Sequence, residues 1–316
     1  MVRLDAESLC ALFAGVEKPG NCPLLILEIP SQSLDARTEM PESRGFSVEP
    51  IPVTPGPHGL VQLTLRLLDE LYRAVFIALV TDIAGHVLAA TDQRAGVRAF
   101  LGRLRTWQAF FDRASAGGLT EEEQRGLFGE LWFLRELAVA DLGAQRAIAG
   151  WVGPVARSHD FEYHGVAVEV KTTAAASPKT VHVSNVLQLD STGLDALLLL
   201  HLWLQPLEGG GETLPQIVGQ LRGDLAKIDP GAATLLNDRL LSAGYADVHA
   251  PLYSTTGYLV RSSQLYRVSE GFPRIPIDSI PKGVVDVKYS VLLSECGPFL
   301  TTKEELQRLL QRVANG

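Results

Sequence analysis

The chain of 316 residues has an apolar fraction of 46%, enough for about two domains with a sizeable core. Its net charge of −8 excludes broad, non-specific coating of nucleic acid, which depends on lysines and arginines displacing counterions, so any phosphate-binding surface has to be local. Cys10, Cys22 and Cys296 are too few and too scattered for a disulfide framework or a cysteine zinc site.

The opening residues, "MVRLDAESLC", lack the basic start and apolar run of a signal peptide, and the greasiest segment, "DALLLLHLWLQ", is far shorter than a membrane span. The expectation is a cytoplasmic protein with no membrane anchor. There is no internal repeat. The stretch "PIPVTPGPHG" (50–59) reads as a loop, "SAGGLT" (115–120) as a break and "EGGGE" (208–212) as a linker or exposed turn. These mark an N-terminal accessory region (1–116), a middle region (117–207) and a C-terminal α+β region (208–316).

In chain order, the first region holds an apolar strand at "LLILEI", an alternating strand near "LVQLTLRL", and helices over roughly 69–84 and 93–113. On the second helix Arg94, Arg98 and Arg105 share one side, beside a stripe of Val97, Leu101, Leu104 and Trp107; this is either a phosphate-binding face or a solvated one. The middle region opens with a helix that Thr120 caps, Glu123 completing a capping box, and that runs to about Asp141. Two strands follow in "HDFEYHGVAVEVK", then a short strand at "TVHVS", a turn of helix at "NVLQL" and an apolar strand at "LDALLLLHLWL". The last region has helices near 213–228 and 231–243, strands near 256–268 and 284–293, and a closing helix from about 302.

The chemistry concentrates in residues 159–171. A two-residue turn at His164-Gly165 pairs Tyr163 with Val166 and sets Asp160 opposite Glu169. Opposed residues have Cβ atoms roughly 4.5–5.5 Å apart, close enough for two carboxylates to share one cation. Lys171 lies on the same face as Glu169 because strand side chains alternate, while Phe161, Val168 and Val170 point to the core. Two ionised acids at that distance repel, and a divalent cation removes the conflict; Mg²⁺ suits such a site because it takes one or two carboxylates and leaves its other positions to water and phosphate. Upstream, Glu130 sits within a helical stripe of Leu127, Phe133, Leu134 and Leu137. It either points toward Asp160 and Glu169, as a further ligand or a partner for Lys171, or reaches a surface or a nearby arginine.

Asp160, then Glu169-Val170-Lys171, with helical Glu130 before them and "SNVLQL" after, resembles the PD-(D/E)XK, or restriction-endonuclease-like, nuclease superfamily. In particular it looks like a bacterial branch associated with restriction and phage-defence gene clusters. The resemblance is strongest over about 119–205. His159 stands where the superfamily's name has proline, a position that varies widely. The resemblance implies an α/β fold with a restriction-endonuclease-like core (helix, three strands, helix, strand; mixed sheet) and N- and C-terminal α+β additions. It implies Mg²⁺, or alternatively Mn²⁺, on Asp160, Glu169 and the Val170 carbonyl, catalysis by Asp160, Glu169, Lys171 and Glu130, and contact of Gln188 and Ser184 with the substrate backbone or with the residues behind the site; from the residues alone these two read equally as a surface amide and a helix cap. The implied activity is endonucleolytic cleavage of DNA in restriction or phage defence, with a methyltransferase or an ATP-dependent translocase as partner and a homodimer for double-strand cutting. A non-catalytic adaptor of a defence complex is the alternative, and a nuclease acting on RNA or recombination intermediates a further one.

The acid, any residue, lysine pattern is weak by itself. With 36 acids and 7 lysines, about one match arises by chance, and a second, Asp286 and Lys288 preceded by Asp278, occurs in "PIDSIPKGVVDVK". Too little chain follows it for another core helix and strand, so it reads as an exposed strand face. His159, His164 and His182 fit no standard zinc spacing and read as turn or supporting residues, and Lys179 as a loop lysine. The stretch "GGG" (209–211) lacks the lysine of a nucleotide-binding loop, so the motor of any translocase that works with this protein would lie elsewhere.

Overall fold

In the computed structural model, which describes residues 1–35, 37–53, 59–155, 158–177 and 179–315, the chain divides into two units. One comprises residues 1–118 and 244–248, the other the remainder. The first contains β1 (Val2–Arg3), β2 (Ala11–Glu17), β3 (Cys22–Pro30), β4 (Phe46–Pro52), β5 (Leu60–Leu67), α1 (Arg73–Leu88) and α2 (Gln93–Arg113). Its antiparallel strands lie in the order β1-β2-β3-β5-β4. β3, β5 and both helices match the periodicity of the sequence. β4 does not, because Pro50 and Pro52 read as loop; at a sheet edge, where β4 lies, proline costs no ladder hydrogen bond. The remainder of that expected loop, residues 54–58, lies outside the described residues. Val97, Leu101, Leu104 and Trp107 of α2 are buried, whereas Arg94, Arg98 and Arg105 are exposed. By length and composition Glu70–Leu88 could cross a membrane; in this fold Val75, Phe76, Leu79, Ile83 and Val87 are buried along it.

The second unit begins with α3 (Glu121–Phe133), where Thr120 and Glu123 form the capping box read from the sequence. A π-turn (Leu134–Ala138) and the short α4 (Val139–Leu142) continue it, and α5 (Ala144–Ala149) follows. Then come β6 (Phe161–Tyr163), β7 (Val166–Thr173), β8 (Thr180–Val183), β9 (Ala196–Glu208), β10 (Glu212–Thr213), α6 (Leu214–Ile228), α7 (Pro230–Ser242), β11 (Thr256–Arg267), β12 (Tyr289–Leu292), β13 (Leu300–Thr301) and α8 (Lys303–Asn315).

The architecture is mixed α/β. The main sheet runs β10-β11-β9-β7-β6, with β13 added to β11; β7 and β9 are parallel and the other pairs antiparallel. β9 is buried without a break from Ala196 to Leu202, as a central strand must be. β9 and β11 pair along nearly their whole lengths, so the chain on both sides of residue 208 builds one sheet.

One expectation for the core needs correction. β8 does not join the main sheet: Thr180 and His182 are exposed while Val181 and Val183 are buried, and the strand pairs with β12 in a separate two-stranded ribbon. The turn of helix expected after it is the 3-10 turn Val186–Leu189. The ribbon, that turn and the main sheet enclose an apolar cluster that includes Ala167, Val181, Val183, Leu189, Leu199, Phe272 and Val291.

Candidate active site

The β6–β7 hairpin turns on His164 and Gly165, whose φ values of 33° and 85° suit a two-residue turn with both central residues left-handed. Phe161 then pairs with Val168 and Tyr163 with Val166. Alternation sends Val168, Val170 and Thr172 toward α3, whose Gly129 comes close enough that a Cβ there would lie 2.4 Å from Thr172 Cγ2. Ala167 joins the apolar cluster on the opposite face, which is therefore also the face of Glu169 and Lys171.

β6 starts at Phe161, so β7 beyond Val168 has no strand on its outer side. Asp160 fills that edge. Its Oδ2 accepts a hydrogen bond from the Val170 amide at 2.8 Å, while its carbonyl accepts from the amides of Val152 and Gly153, each at 2.9 Å. Within a strand the N–H and C=O of one residue point to the same side, so the Val170 carbonyl also faces this edge.

Glu169 is 1% exposed. The Lys171 ammonium lies 2.9 Å from its Oε1 as an ion pair, off the line of a hydrogen bond, and neither carboxylate oxygen accepts one. The same ammonium donates to Gln188 Oε1 at 2.9 Å, and that oxygen also accepts from the Ser184 amide at 3.0 Å and hydroxyl at 3.1 Å. Gln188 and Ser184 thus clamp Lys171. Glu130 reaches the same neighbourhood and accepts from the Trp151 indole through Oε2 at 2.6 Å, with Trp151 fully buried.

Burial, reinforced by Asp160, holds the Glu169 carboxyl well above the ordinary carboxylate range despite Lys171. Burial pulls the Lys171 ammonium down, but Glu169, Asp160 and Glu130 outweigh it and leave it raised. Three carboxylates thus face one ammonium, an excess of two negative charges when all are ionised.

The residues fit a divalent cation. Glu169 accepts no hydrogen bond and has only the Lys171 ammonium beside Oε1, so with Asp160 and Glu130 ionised nearby its burial is costly unless a further cation shares the charge. Among the described residues no three acidic, histidine or cysteine side chains form a ready-made cage. Asp160, Glu169 and the Val170 carbonyl offer oxygen donors only, the donor type that suits a hard divalent cation.

The structure thus brings Glu130, Asp160, Glu169, Val170, Lys171, Gln188 and Ser184 together. It does not do so for the rival motif: Asp278 lies in an exposed 3-10 turn, Asp286 has φ of 55°, and both it and Lys288 precede β12 in an exposed loop rather than on a strand face. His159 is buried, its ring near Glu162 and the Asp190 carbonyl; His164, His182 and Lys179 are exposed. Sequence reasoning gave no role to Trp151, Arg274 or Tyr289. A tryptophan following a Gly, whose indole must find an acceptor when buried, was the available signal for the first.

A family model described as "Putative PD-(D/E)XK family member, (DUF4420)" matches residues 1–294. No curated protein and no solved structure matches the chain.

Proposed function

The chain belongs to this DUF4420 family of the PD-(D/E)XK type, and on that premise we propose that it is a metal-dependent endodeoxyribonuclease built on a restriction-endonuclease-like core, acting in the cytoplasm in restriction or phage defence. The observation that carries the reading is the buried Glu169 carboxylate, without a hydrogen bond, beside Asp160 and a clamped Lys171.

Asp160, Glu169 and the Val170 carbonyl would hold Mg²⁺ or Mn²⁺. Such an ion supplies a water of lowered pKa and offsets charge on the phosphate oxygens. Lys171, ion-paired with Glu169 and donating to the Gln188 carboxamide oxygen, is present as an ammonium. It donates to a phosphate oxygen and stabilises the charge that builds there. Gln188 keeps that ammonium aimed, and Trp151 fixes Glu130 at the edge of the site. Hydrolysis places the hydroxyl of water on phosphorus, breaks the bond to one sugar oxygen and returns a proton to that oxygen.

The test is incubation of the purified protein with supercoiled, linear and single-stranded DNA, methylated and unmethylated, in Mg²⁺, Mn²⁺ or EDTA, beside Glu169→Ala and Lys171→Ala. Metal-dependent nicking or cutting that both variants lose supports the reading; undiminished cutting by both refutes the site. The second reading, a non-catalytic adaptor that binds a methyltransferase or translocase, is favoured by the net charge of −8. It gains if no condition yields cleavage while a partner is retained.

A further inference from the structure

We propose that Arg274, held by the Leu189 carbonyl, is a second phosphate-binding cation beside Lys171, contacting the DNA backbone at the site. This rests on the nuclease reading above and adds a substrate contact from the C-terminal part of the chain.

The placement follows from three anchors. Phe272 is buried in the apolar cluster beneath the Glu169 and Lys171 face and packs edge-on against Phe299, which fixes the chain two residues before Arg274. The Arg274 guanidinium donates through Nη1 to the carbonyl of Leu189, the residue after Gln188, whose side chain holds the Lys171 ammonium. β12 lies on β8 with Tyr289 opposite Val183, so the Tyr289 ring packs against the same cluster one residue from Ser184, the other half of the Lys171 clamp.

Arg274 is half-buried, and among the described residues its side chain makes that one hydrogen bond and no ion pair. A guanidinium carries five N–H donors, so most of them are uncommitted, and their planar fork matches phosphate. The Tyr289 phenol oxygen is buried without a hydrogen bond; the Ile275 main chain comes near it but not into hydrogen-bond geometry. Arg274 and Lys171 both act electrostatically on that phenol. A local cationic pair is also what an acidic protein needs to bring a polyanion to a cluster of carboxylates.

The experiment measures binding of fluorescein-labelled duplex and single-stranded DNA by anisotropy, with Ca²⁺ replacing Mg²⁺, across a salt series, for wild type, Arg274→Ala, Arg274→Lys, Tyr289→Phe and the control Ser290→Ala, whose side chain is exposed on the ribbon. Arg274→Ala should weaken binding roughly tenfold and reduce the salt slope by about one. Arg274→Lys should keep the slope but not the full affinity. Tyr289→Phe keeps the ring packed on the cluster and removes no hydrogen bond, so its affinity and salt slope should stay at wild-type values. Salt slopes and affinities equal to wild type in Arg274→Ala overturn the proposal and leave the nuclease reading standing. A wild type that binds but never cuts removes the nuclease reading, while the same slopes still decide Arg274. A wild type that binds no DNA at all overturns both.

Discussion

The amide of Val170 donates to Asp160 Oδ2 at 2.8 Å, joining the two arms of the hairpin where their strand pairing has ended. The contact makes Asp160 an edge cap as well as a candidate ligand, and two substitutions separate these roles. Asp160→Asn retains an acceptor oxygen, so its melting temperature should stay near wild type while cleavage falls roughly a hundredfold or more with the loss of a charged ligand. Asp160→Ala also strands the amide and should cost about 1 kcal/mol of stability in urea titration. Equal stability loss in both would show that the carboxylate charge, and not the acceptor, holds this edge.

Glu169 should make stability fall as pH rises. Its native carboxyl is raised above the ordinary 4.5, so the folded chain keeps a proton that the unfolded chain has released; stability is highest below that value and declines as pH climbs through the native one. Glu169→Gln should flatten the decline. Mg²⁺ should reverse it: an ion bound only by the folded state at a hundredfold excess over Kd adds about 2.7 kcal/mol, and protons compete with it at Glu169. Thermal melts with and without Mg²⁺ should therefore diverge more at pH 8 than at pH 5, and coincide in Glu169→Gln.

His201 should act in the opposite direction at lower pH. It stands opposite Lys171 on β9, pairs through Nε2 with the Thr173 hydroxyl at 2.9 Å and has a buried Nδ1 with no hydrogen bond. Burial pushes its pKa down to about 4, only partly offset by Gln264. The unfolded chain therefore takes up a proton near the ordinary 6.5 that the native state refuses, and stability drops as pH falls from 6.5 toward 4, by about 3 kcal/mol. Urea titrations at pH 4.5 and 6.5 should show this loss in wild type and a much smaller one in His201→Gln.

The local parts of this site were legible because local rules set them. His164-Gly165 fixed the hairpin register, and alternation then put Glu169 and Lys171 on one face. Thr120 and Glu123 marked the start of α3. Glu130 could be read two ways because its partner is the Trp151 indole, which helical periodicity does not reveal. The pairing of β8 with β12 was hidden for a different reason: Val183 and Tyr289 are brought together by tertiary packing across most of the last region, and neither strand has enough residues to announce a partner. Arg274 and Tyr289 were illegible for the same cause.

Gly129 links the fold to the site most directly. A methyl group there would meet Thr172 Cγ2 at 2.4 Å and Val170 Cγ1 at 3.3 Å, so α3 lies on β7 only because position 129 has no side chain. Thr172 is β-branched and held in a strand, with little freedom to yield. Gly129→Ala should therefore cost about 1–3 kcal/mol through overpacking, in spite of alanine's better helix propensity. The helix must lift from the strand to relieve the clash, carrying Glu130 away from Trp151. Trp151 fluorescence should change in the folded variant, and cleavage should fall further than the remaining stability explains; an unshifted emission spectrum with wild-type activity would show that Glu130 does not depend on this close approach.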